Sequence, residues 1–367
     1  MSFAKIIDNI HDFNIQDYLQ NVSDSDIENS LNKKELNRRD FLNLLSPGAE
    51  NYLEEMAQKA HRLTVQWFGK TIKLYAPLYI SNYCSNQCLY CGFNQKNRIS
   101  RQKLSLNEID REAQIIDQKG IKHILLLTGE SRQHTPISYI REAIRIQKKY
   151  FSSICLEMFP MDLEEYKNLI QAGADCLTVY QEVYDKDNYQ RVHQAGKKRD
   201  YYYRLETPER GAQAGFRAIN IGTLFGLANL EKEAYLSGLH AQYLENTYLD
   251  CEISISIPRL NTHEGDYQAA YRLSDKKFVQ FLLAYRLFLP RVGINISTRE
   301  SADFRDNLLK LGVTKMSAGS KTEVGGYTKA VDSTAQFDIS DNRSVEKVVS
   351  KIQASGYQPV FKDWERP

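Results

Sequence analysis

The sequence of 367 residues contains no apolar run long enough to cross a bilayer, and its first residues turn polar too soon for a signal peptide. It has no surplus of charge either, since 48 basic residues stand against 46 acidic ones. A global field that attracts nucleic acid or an acidic membrane surface is therefore excluded. We expect a cytoplasmic protein that binds neither nucleic acid nor membrane and whose main partner is a small molecule.

Cysteine is scarce, and half of the six cysteines lie within eight residues, at Cys84, Cys88 and Cys91. In a reducing compartment, clustered thiols indicate metal ligands rather than disulfides. The other cysteines stand alone in apolar runs, where a lone cysteine usually behaves as a small buried hydrophobe. These isolated cysteines are Cys155, Cys176 and Cys251.

The spacing C-x3-C-x2-C lacks a fourth cysteine. Three thiolates can hold three irons of a four-iron cluster, whereas structural zinc sites and complete cluster sites present four protein ligands. One iron is therefore predicted to stay open to another ligand. The alternative is a three-cysteine zinc or redox site completed by a histidine, although His61 and His123 are far away in the sequence.

From residue 71 onward, short β-rich runs alternate with helical stretches, which is the pattern of βα units around a parallel sheet. Eight such units predict a (β/α)8 barrel of the TIM type over residues 71–320, with a helical N-terminal extension over 1–70 and a C-terminal segment over 321–367 that covers the barrel. The predicted strands are 74–80, 123–128, 154–159, 176–180, 218–225, 251–257, 293–297 and 315–317. The predicted helices between them are 106–119, 137–150, 163–172, 208–214, 231–246, 276–289 and 304–311.

In such a barrel the loops after the strands build the active site, so polar residues there are the candidates. The cysteine loop directly follows strand 1. After strand 2, Gly129 permits close approach of a ligand, and the Glu130 carboxylate can pair with an amine. Glu182 ends strand 4, where a carboxylate that merely faces solvent is the alternative. In strand 5, Gly222 and Leu224 border either a bound flat ring or an ordinary buried strand.

The loops after strands 7 and 8 are also polar. Arg299 can clamp a substrate carboxylate, and Ser317 with the residues Gly319 and Ser320 can add hydrogen bonds. The alternative for Arg299 is a surface ion pair with an acidic neighbour, either Glu300 or Asp303. A basic and aromatic run over 197–204 looks like a nucleic-acid patch, but it is short, and most of its charges are predicted to be a solvated face.

The three-cysteine spacing, with the aromatic Tyr90 directly before Cys91, resembles the signature of the radical S-adenosylmethionine (SAM) enzymes. Nearly the whole chain resembles the aromatic amino acid lyase branch of that superfamily, and within it the tyrosine lyases of thiamine thiazole biosynthesis. The segments that carry this resemblance are 78–92, 180–182, 203–210, 257–260, 297–300 and 325–327, with 44–47 and 361–364 near the two ends.

The resemblance implies a [4Fe-4S] cluster on Cys84, Cys88 and Cys91, whose open iron is chelated by the amino and carboxylate groups of SAM. Arg204 would hold the SAM carboxylate by bidentate contact, as in the biotin synthase group. Thr128 departs from the Gly-Gly-Glu motif of the superfamily. The SAM-binding residues implied in this way are Tyr90, Gly129, Glu130, Glu182, Arg204, Gly222 and Leu224.

The resemblance also implies the reaction and its partners. An electron from a flavodoxin- or ferredoxin-type donor would cleave SAM, and the 5′-deoxyadenosyl radical would take a hydrogen atom from the amino group of L-tyrosine. Cα–Cβ scission would then give 2-iminoacetate and a p-cresol radical. The imine hydrolyses readily, so handover to a thiazole synthase would protect it. Arg299 and Ser317 would act on the substrate, and His263 is a weaker candidate for proton transfer near it.

Three further points limit this interpretation. No cysteine follows Cys251, which excludes the additional cysteine-bound cluster of the tyrosine lyase that matures the hydrogenase di-iron centre. A radical SAM reaction on another aromatic substrate, such as tryptophan cleavage or a deazaflavin-forming condensation, is the main alternative. A non-catalytic iron–sulfur or zinc scaffold is the other, although polar residues at several strand ends argue against it.

Overall fold

The computed structural model describes residues 2–10, 13–261, 267–328 and 334–362. Eight parallel strands form a closed barrel, because the first strand pairs with both the second and the eighth. The barrel strands are β1 Thr71–Ser81, β2 His123–Thr128, β3 Ser153–Glu157, β4 Cys176–Glu182, β5 Ala218–Thr223, β6 Glu252–Ser256, β7 Gly293–Ile296 and β8 Lys315–Ser317. The predicted (β/α)8 barrel is confirmed, and each predicted strand is found with small shifts at its ends.

Helices alternate with the strands and form the outer layer of the barrel. Two of them begin at reciprocal capping boxes, Ser105 with Glu108 and Asp162 with Glu165, which satisfy free amides of the first turn. The helices of this part are α6 Leu106–Gln118, α7 Ile137–Gln147, α8 Leu163–Ala172, α9 Lys186–Val192, α10 Tyr201–Leu205, α11 Thr207–Ala214, α12 Leu230–Thr247, α13 Asp275–Phe288 and α14 Ala302–Leu308. The two short helices α9 and α10 were not predicted, since neither offers more than two turns of apolar periodicity.

The N-terminal residues pack on the outside of the barrel helices. Phe41 stacks on Phe288 with ring centroids 4.4 Å apart, and the Gln280 amide donates to the carbonyls of Leu44 and Ser46. These contacts join the N-terminal helices to α13. Their bounds are α1 Phe3–Ile10, α2 Ile15–Gln20, α3 Asp24–Asn32, α4 Arg38–Leu45 and α5 Leu53–Phe68.

The C-terminal residues return to the barrel at both of its ends. A ninth strand, β9 Gln358–Val360, follows helix α15 Val345–Ala354 and pairs in parallel with the first residues of β1. At the opposite end, the backbone around Gln336 packs on the cysteine loop, because a side chain at Gly92 would lie 2.8 Å from the Gln336 carbonyl oxygen. The helices of the described residues include none that is long and apolar enough to cross a membrane.

Two of the isolated cysteines are in fact neighbours, which corrects the sequence interpretation. Cys155 of β3 pairs directly with Cys176 of β4, and the two form a disulfide. A separation of 21 residues hides this contact, since it depends on the register of two adjacent parallel strands. Cys251 is a free, half-buried thiol directly before β6.

Candidate active site

The cysteine loop leaves the carboxyl end of β1 and is fixed by the segment that follows α9. Cys88 forms an isolated backbone bridge with His193, and the Leu89 amide donates to the Val192 carbonyl at 3.0 Å. The His193 ring in turn lies 2.7 Å from the Tyr90 hydroxyl. The loop is therefore held by backbone pairing at Cys88 and Leu89 and by the contact of Tyr90 with His193.

The three thiols are buried or half-buried, and their environment disfavours the ionised form. Burial raises the pKa of Cys84 to about 11 and also raises the pKa of Cys88 and of Cys91, while Lys198 opposes the shift at the last two. Thiols of this kind ionise when they bind a metal, because the charge of the cation replaces the missing solvent. Among the described residues, no three His, Cys, Asp or Glu side chains are arranged so that they could hold one metal ion together.

The loop after β2 touches the cysteine loop at Gly129. The Gly129 amide donates to the Ser81 carbonyl at 2.8 Å, and the Ser85 amide and hydroxyl both donate to the carbonyl of Glu130. A Cβ atom at residue 129 would lie 2.4 Å from the Tyr83 carbonyl oxygen and 3.2 Å from the Cys84 Cβ. Residue 129 must therefore be glycine because the backbones of the two loops meet here. This requirement holds whether or not a ligand also lies close.

This contact predicts the effect of Gly129→Ala. We expect the added methyl to push the two loops apart, to cost about 1–3 kcal/mol in the free energy of unfolding and to lower the iron content after anaerobic reconstitution. Gly48→Ala is the matched control, since its new methyl would meet only the flexible Ile27 Cδ1 at 3.3 Å. Equal iron content in both variants would contradict the close-packing argument.

Glu130 and Arg204 form the centre of a buried charged network. The Glu130 carboxylate accepts from the Asn86 amide at 2.6 Å and from Arg204 Nη1 at 3.0 Å, and Arg204 Nε donates to the Tyr180 carbonyl at 2.7 Å. Asn86 belongs to the cysteine loop, so the network joins the loops after β1, β2 and β4. The structure thus brings both residues to the cysteines.

Glu182 completes the network, and it does not face solvent. Its carboxylate lies 2.7 Å from Lys198 Nζ and 3.6 Å from Arg204 Nη2. Lys198 was predicted to belong to a solvated face, and that prediction was wrong, since only 11% of its side chain is exposed. Glu182 is also a non-glycine residue with a positive φ of 69°. This unusual conformation points its carbonyl at the amide of Leu224 and the hydroxyl of Thr223.

Gly222 and Leu224 lie on β5 and directly after it. A Cβ at residue 222 would lie 2.7 Å from the Ser256 carbonyl oxygen and 3.1 Å from the ring of Tyr180. The glycine therefore makes room for the neighbouring strand and for an aromatic ring of the protein itself. Leu224 is buried, and its amide supports Glu182.

Buried polar atoms without a hydrogen-bond partner also occur among the neighbours in sequence of this network. Among the described residues these atoms include the Thr128 hydroxyl and both polar atoms of the Gln181 side chain. Thr128 directly precedes Gly129, and Gln181 directly precedes Glu182. Such atoms normally find partners, which makes these residues exceptions among the buried polar groups. Three thiols and the paired charges of Glu130, Glu182 and Arg204 beside their loop fit a four-iron cluster with a SAM molecule.

A cavity in the barrel mouth contains Arg299, Ser317 and Ser320. The Arg299 guanidinium lies 3.3 Å from the ring centroid of Phe337, and its Nη1 donates to the Arg259 carbonyl at 3.4 Å. The Ser317 hydroxyl accepts from the Thr298 amide at 3.1 Å, and the buried Ser320 hydroxyl has no partner among the described residues. These three polar side chains converge on one space.

The alternative ion pairs of Arg299 do not form. Glu300 pairs with Arg259 instead, which also lies 2.7 Å from Asp275. Gly319 is not among the described residues that line the cavity. A Cβ atom at this position would lie 3.0 Å from the Val345 side chain of α15. His263 lies outside the described residues.

Two residues of this cavity escaped the sequence analysis. Glu157 is the last residue of β3, and the rule of polar residues after strands would have found it had the predicted strand not been too long. Gln336 accepts from the Tyr79 hydroxyl at 2.7 Å, and its amide lies 3.9 Å from Cys91 Sγ. No sequence signal marks Gln336, because its approach depends on how the C-terminal segment crosses the barrel.

Comparisons with known proteins agree with this geometry. Residues 78–235 match the Radical SAM superfamily, and residues 256–358 match the Biotin and Thiamin Synthesis associated domain. The chain is 41% identical to the 2-iminoacetate synthase of Escherichia coli (strain K12) over 342 residues, which are 93% of this chain and 91% of that protein.

Two solved structures extend the comparison. The crystal structure of HydG, a maturase of the [FeFe]-hydrogenase, is 30% identical, covers 97% of this chain and 81% of its own, and superposes with a TM-score of 0.90. Methylornithine synthase (PylB) is 22% identical, covers 91% of this chain and 97% of its own, and has a TM-score of 0.75. At that identity the second likeness shows the fold alone.

Proposed function

The chain belongs to the 2-iminoacetate synthase family of radical SAM enzymes, and we propose that it cleaves the Cα–Cβ bond of L-tyrosine to 2-iminoacetate and p-cresol for the thiazole of thiamine. One observation carries this proposal. The three-cysteine loop, the charged network of Glu130, Glu182 and Arg204, and the Arg299 cavity all lie at the carboxyl ends of the barrel strands, and Gln336, which lines that cavity, has its amide 3.9 Å from Cys91 Sγ.

We assign the cluster to Cys84, Cys88 and Cys91. The family implies a [4Fe-4S] cluster and SAM. Together they supply a 5′-deoxyadenosyl radical when an electron donor of the flavodoxin or ferredoxin type reduces them. Tyr90, through its contact with His193, keeps the third cysteine in place.

The charged network is suited to the amino acid part of SAM. Glu130 and Glu182 offer acceptors for an ammonium group, and Arg204 offers paired donors for a carboxylate. In the structure these groups neutralise each other, so a zwitterion can exchange partners with them without a change in net charge. Gly129 brings the backbone close to that ligand, and Gly222 and Leu224 border the adjacent wall.

The Arg299 cavity is suited to the tyrosine carboxylate. Phe337 orients the guanidinium, and Ser317 and Ser320 are the proposed hydrogen-bonding groups of this end of the cavity. The cavity lies beneath the segment around Gln336, which would exclude water from a reactive imine. A thiazole synthase is the proposed acceptor of that imine.

The assay that tests the function uses anaerobically reconstituted protein with L-tyrosine, SAM and a reductant. We expect p-cresol and 5′-deoxyadenosine to be released together, because one deoxyadenosyl radical starts each cleavage. Tryptophan in place of tyrosine is the control for the alternative aromatic substrate. Deoxyadenosine without p-cresol from tyrosine would overturn the tyrosine assignment.

A further inference from the structure

Glu157 is a carboxylate of the mouth cavity that the assignments above leave without a role. It is the last residue of β3, it pairs with Leu127 of β2, and it lines the same cavity as Arg299. Carboxyl ends of barrel strands are the positions from which catalytic side chains act.

Glu157 differs in its surroundings from the other carboxylates of the mouth, including Glu300, which lines the same cavity but pairs with Arg259. Glu130 has a cationic nitrogen at 3.0 Å, and Glu182 has one at 2.7 Å. In the part of the chain that the structure describes, no hydrogen bond or ion pair satisfies the Glu157 carboxylate. A partly buried acid that lines a cavity in this way is suited to pair with the cationic group of a ligand.

Several charged and titratable groups face Glu157 from the elements around it. Burial raises its pKa to about 7, Glu182 raises it further, and the cationic groups oppose the shift. An acid with such a pKa can both accept and return a proton near neutral pH. The facing groups are Tyr75 and Tyr79 of β1, Tyr180 and Glu182 of β4, Lys198, Arg204 of α10, and Arg299.

The proposed substrate is a zwitterion and needs both signs of charge. Arg299 matches its carboxylate, and its ammonium group then lacks an anionic partner. The reaction also requires a neutral amine, because an ammonium nitrogen has no lone pair to stabilise the unpaired electron left by removal of a hydrogen atom. The site must therefore contain an acceptor for one proton.

We propose that Glu157 is this acceptor, which binds the ammonium group of tyrosine and takes one proton from it. The step is R–NH3⁺ + Glu157–COO⁻ → R–NH2 + Glu157–COOH, with no electron transferred. The assignment rests on the proposed tyrosine cleavage and adds the base that this cleavage requires. It makes Glu157 a catalytic residue that also selects α-amino acids over simple acids.

Glu157→Gln tests the proton transfer through the pH profile. In the parent protein, kcat/KM for p-cresol formation falls about tenfold per pH unit below about pH 7, because the protonated acid cannot accept. We expect Glu157→Gln to lose this acid limb and to be slower by ~10²-fold at higher pH. Glu164→Gln, which removes a carboxylate with 75% exposure on α8, is the control that keeps the parent profile. A retained acid limb in Glu157→Gln would overturn the proposal.

A binding measurement separates the amine from the phenol and does not depend on turnover. Calorimetry on reconstituted protein with SAM and no reductant compares tyrosine with 3-(4-hydroxyphenyl)propionate, which lacks only the amino group. We expect Glu157→Gln to weaken the binding of tyrosine by ~10-fold, about 1.4 kcal/mol. The affinity for the analogue should stay within ~2-fold of the parent value. Equal weakening of both ligands would place Glu157 at the phenol and overturn the assignment. Absence of p-cresol from the parent protein would instead refute the proposed function itself.

Discussion

Cys91→Ala is expected to abolish p-cresol formation, with a loss of at least ~10³-fold, because no protein side chain can replace the radical that the cluster and SAM generate. The same variant should also lose most of its iron and the visible absorption of the reconstituted cluster. The reason is the ligand count: with three thiols at the site, removal of one leaves two, too few for a stable four-iron cluster.

Cys251→Ala is the matched control for this result. Cys251 is also half-buried and free, but it stands before β6, at the amino end of the barrel strands. Its replacement should change neither the iron content nor the activity. A cluster that survives in Cys91→Ala, with iron content equal to that of the control, would show that the loop is not the ligand set.

The second test of the cluster is spectroscopic. The reduced four-iron spectrum of the parent protein should change when SAM is added, since the open iron then acquires the amino and carboxylate groups of SAM. An unchanged spectrum would contradict the open position, even if iron content and cysteine dependence were as expected.

The barrel itself could be predicted because it depends on local signals. Apolar runs such as β2 His123–Thr128 alternate with capped helices, and eight of these units have one common closed arrangement. The order of the strands in the sheet then follows the order in the chain. That order places the loops of Cys84, Glu130 and Glu182 at one end without any knowledge of side-chain contacts.

The contacts within the mouth could not be predicted, because they depend on which groups neutralise each other. Lys198 belongs to a basic run that looks solvated, yet its ammonium group reaches Glu182 inside the site. Burial alone would lower the pKa of Lys198, but the carboxylates of Glu182 and Glu130 and the Cys88 thiol raise it. Likewise, Gly222 looks like a platform for a flat ligand, and the ring beside it belongs to Tyr180 of the adjacent strand.

Glu157 could not be recognised from the sequence either. The prediction placed it inside an apolar strand, where a single glutamate has no obvious meaning. Only the register of β3 with β2 shows that it is the last strand residue and that it looks into the cavity of Arg299. A difference of two residues in a strand boundary thus separated a candidate base from an unremarkable strand position.

Arg299→Ala is expected to lower kcat/KM for tyrosine by ~10²–10³-fold, because loss of one partner of a buried charge pair costs about 2–5 kcal/mol. SAM affinity should stay within ~2-fold of the parent value. The physical reason is separation within the mouth: Arg299 follows β7, whereas Glu130 and Arg204 are joined to each other beside β2 and β4.

Arg299→Lys distinguishes the charge from the shape of the guanidinium. Lysine keeps the positive charge but loses the planar fork that stacks on Phe337 and binds a carboxylate through two parallel bonds. We therefore expect Arg299→Lys to recover part of the tyrosine affinity, to remain clearly below the parent and again to leave SAM binding unchanged. The measurements are calorimetric affinities for both ligands together with p-cresol kinetics. If both variants lost SAM and tyrosine affinity equally, Arg299 would support the whole mouth rather than the substrate carboxylate, because a residue that binds one ligand cannot weaken both to the same degree.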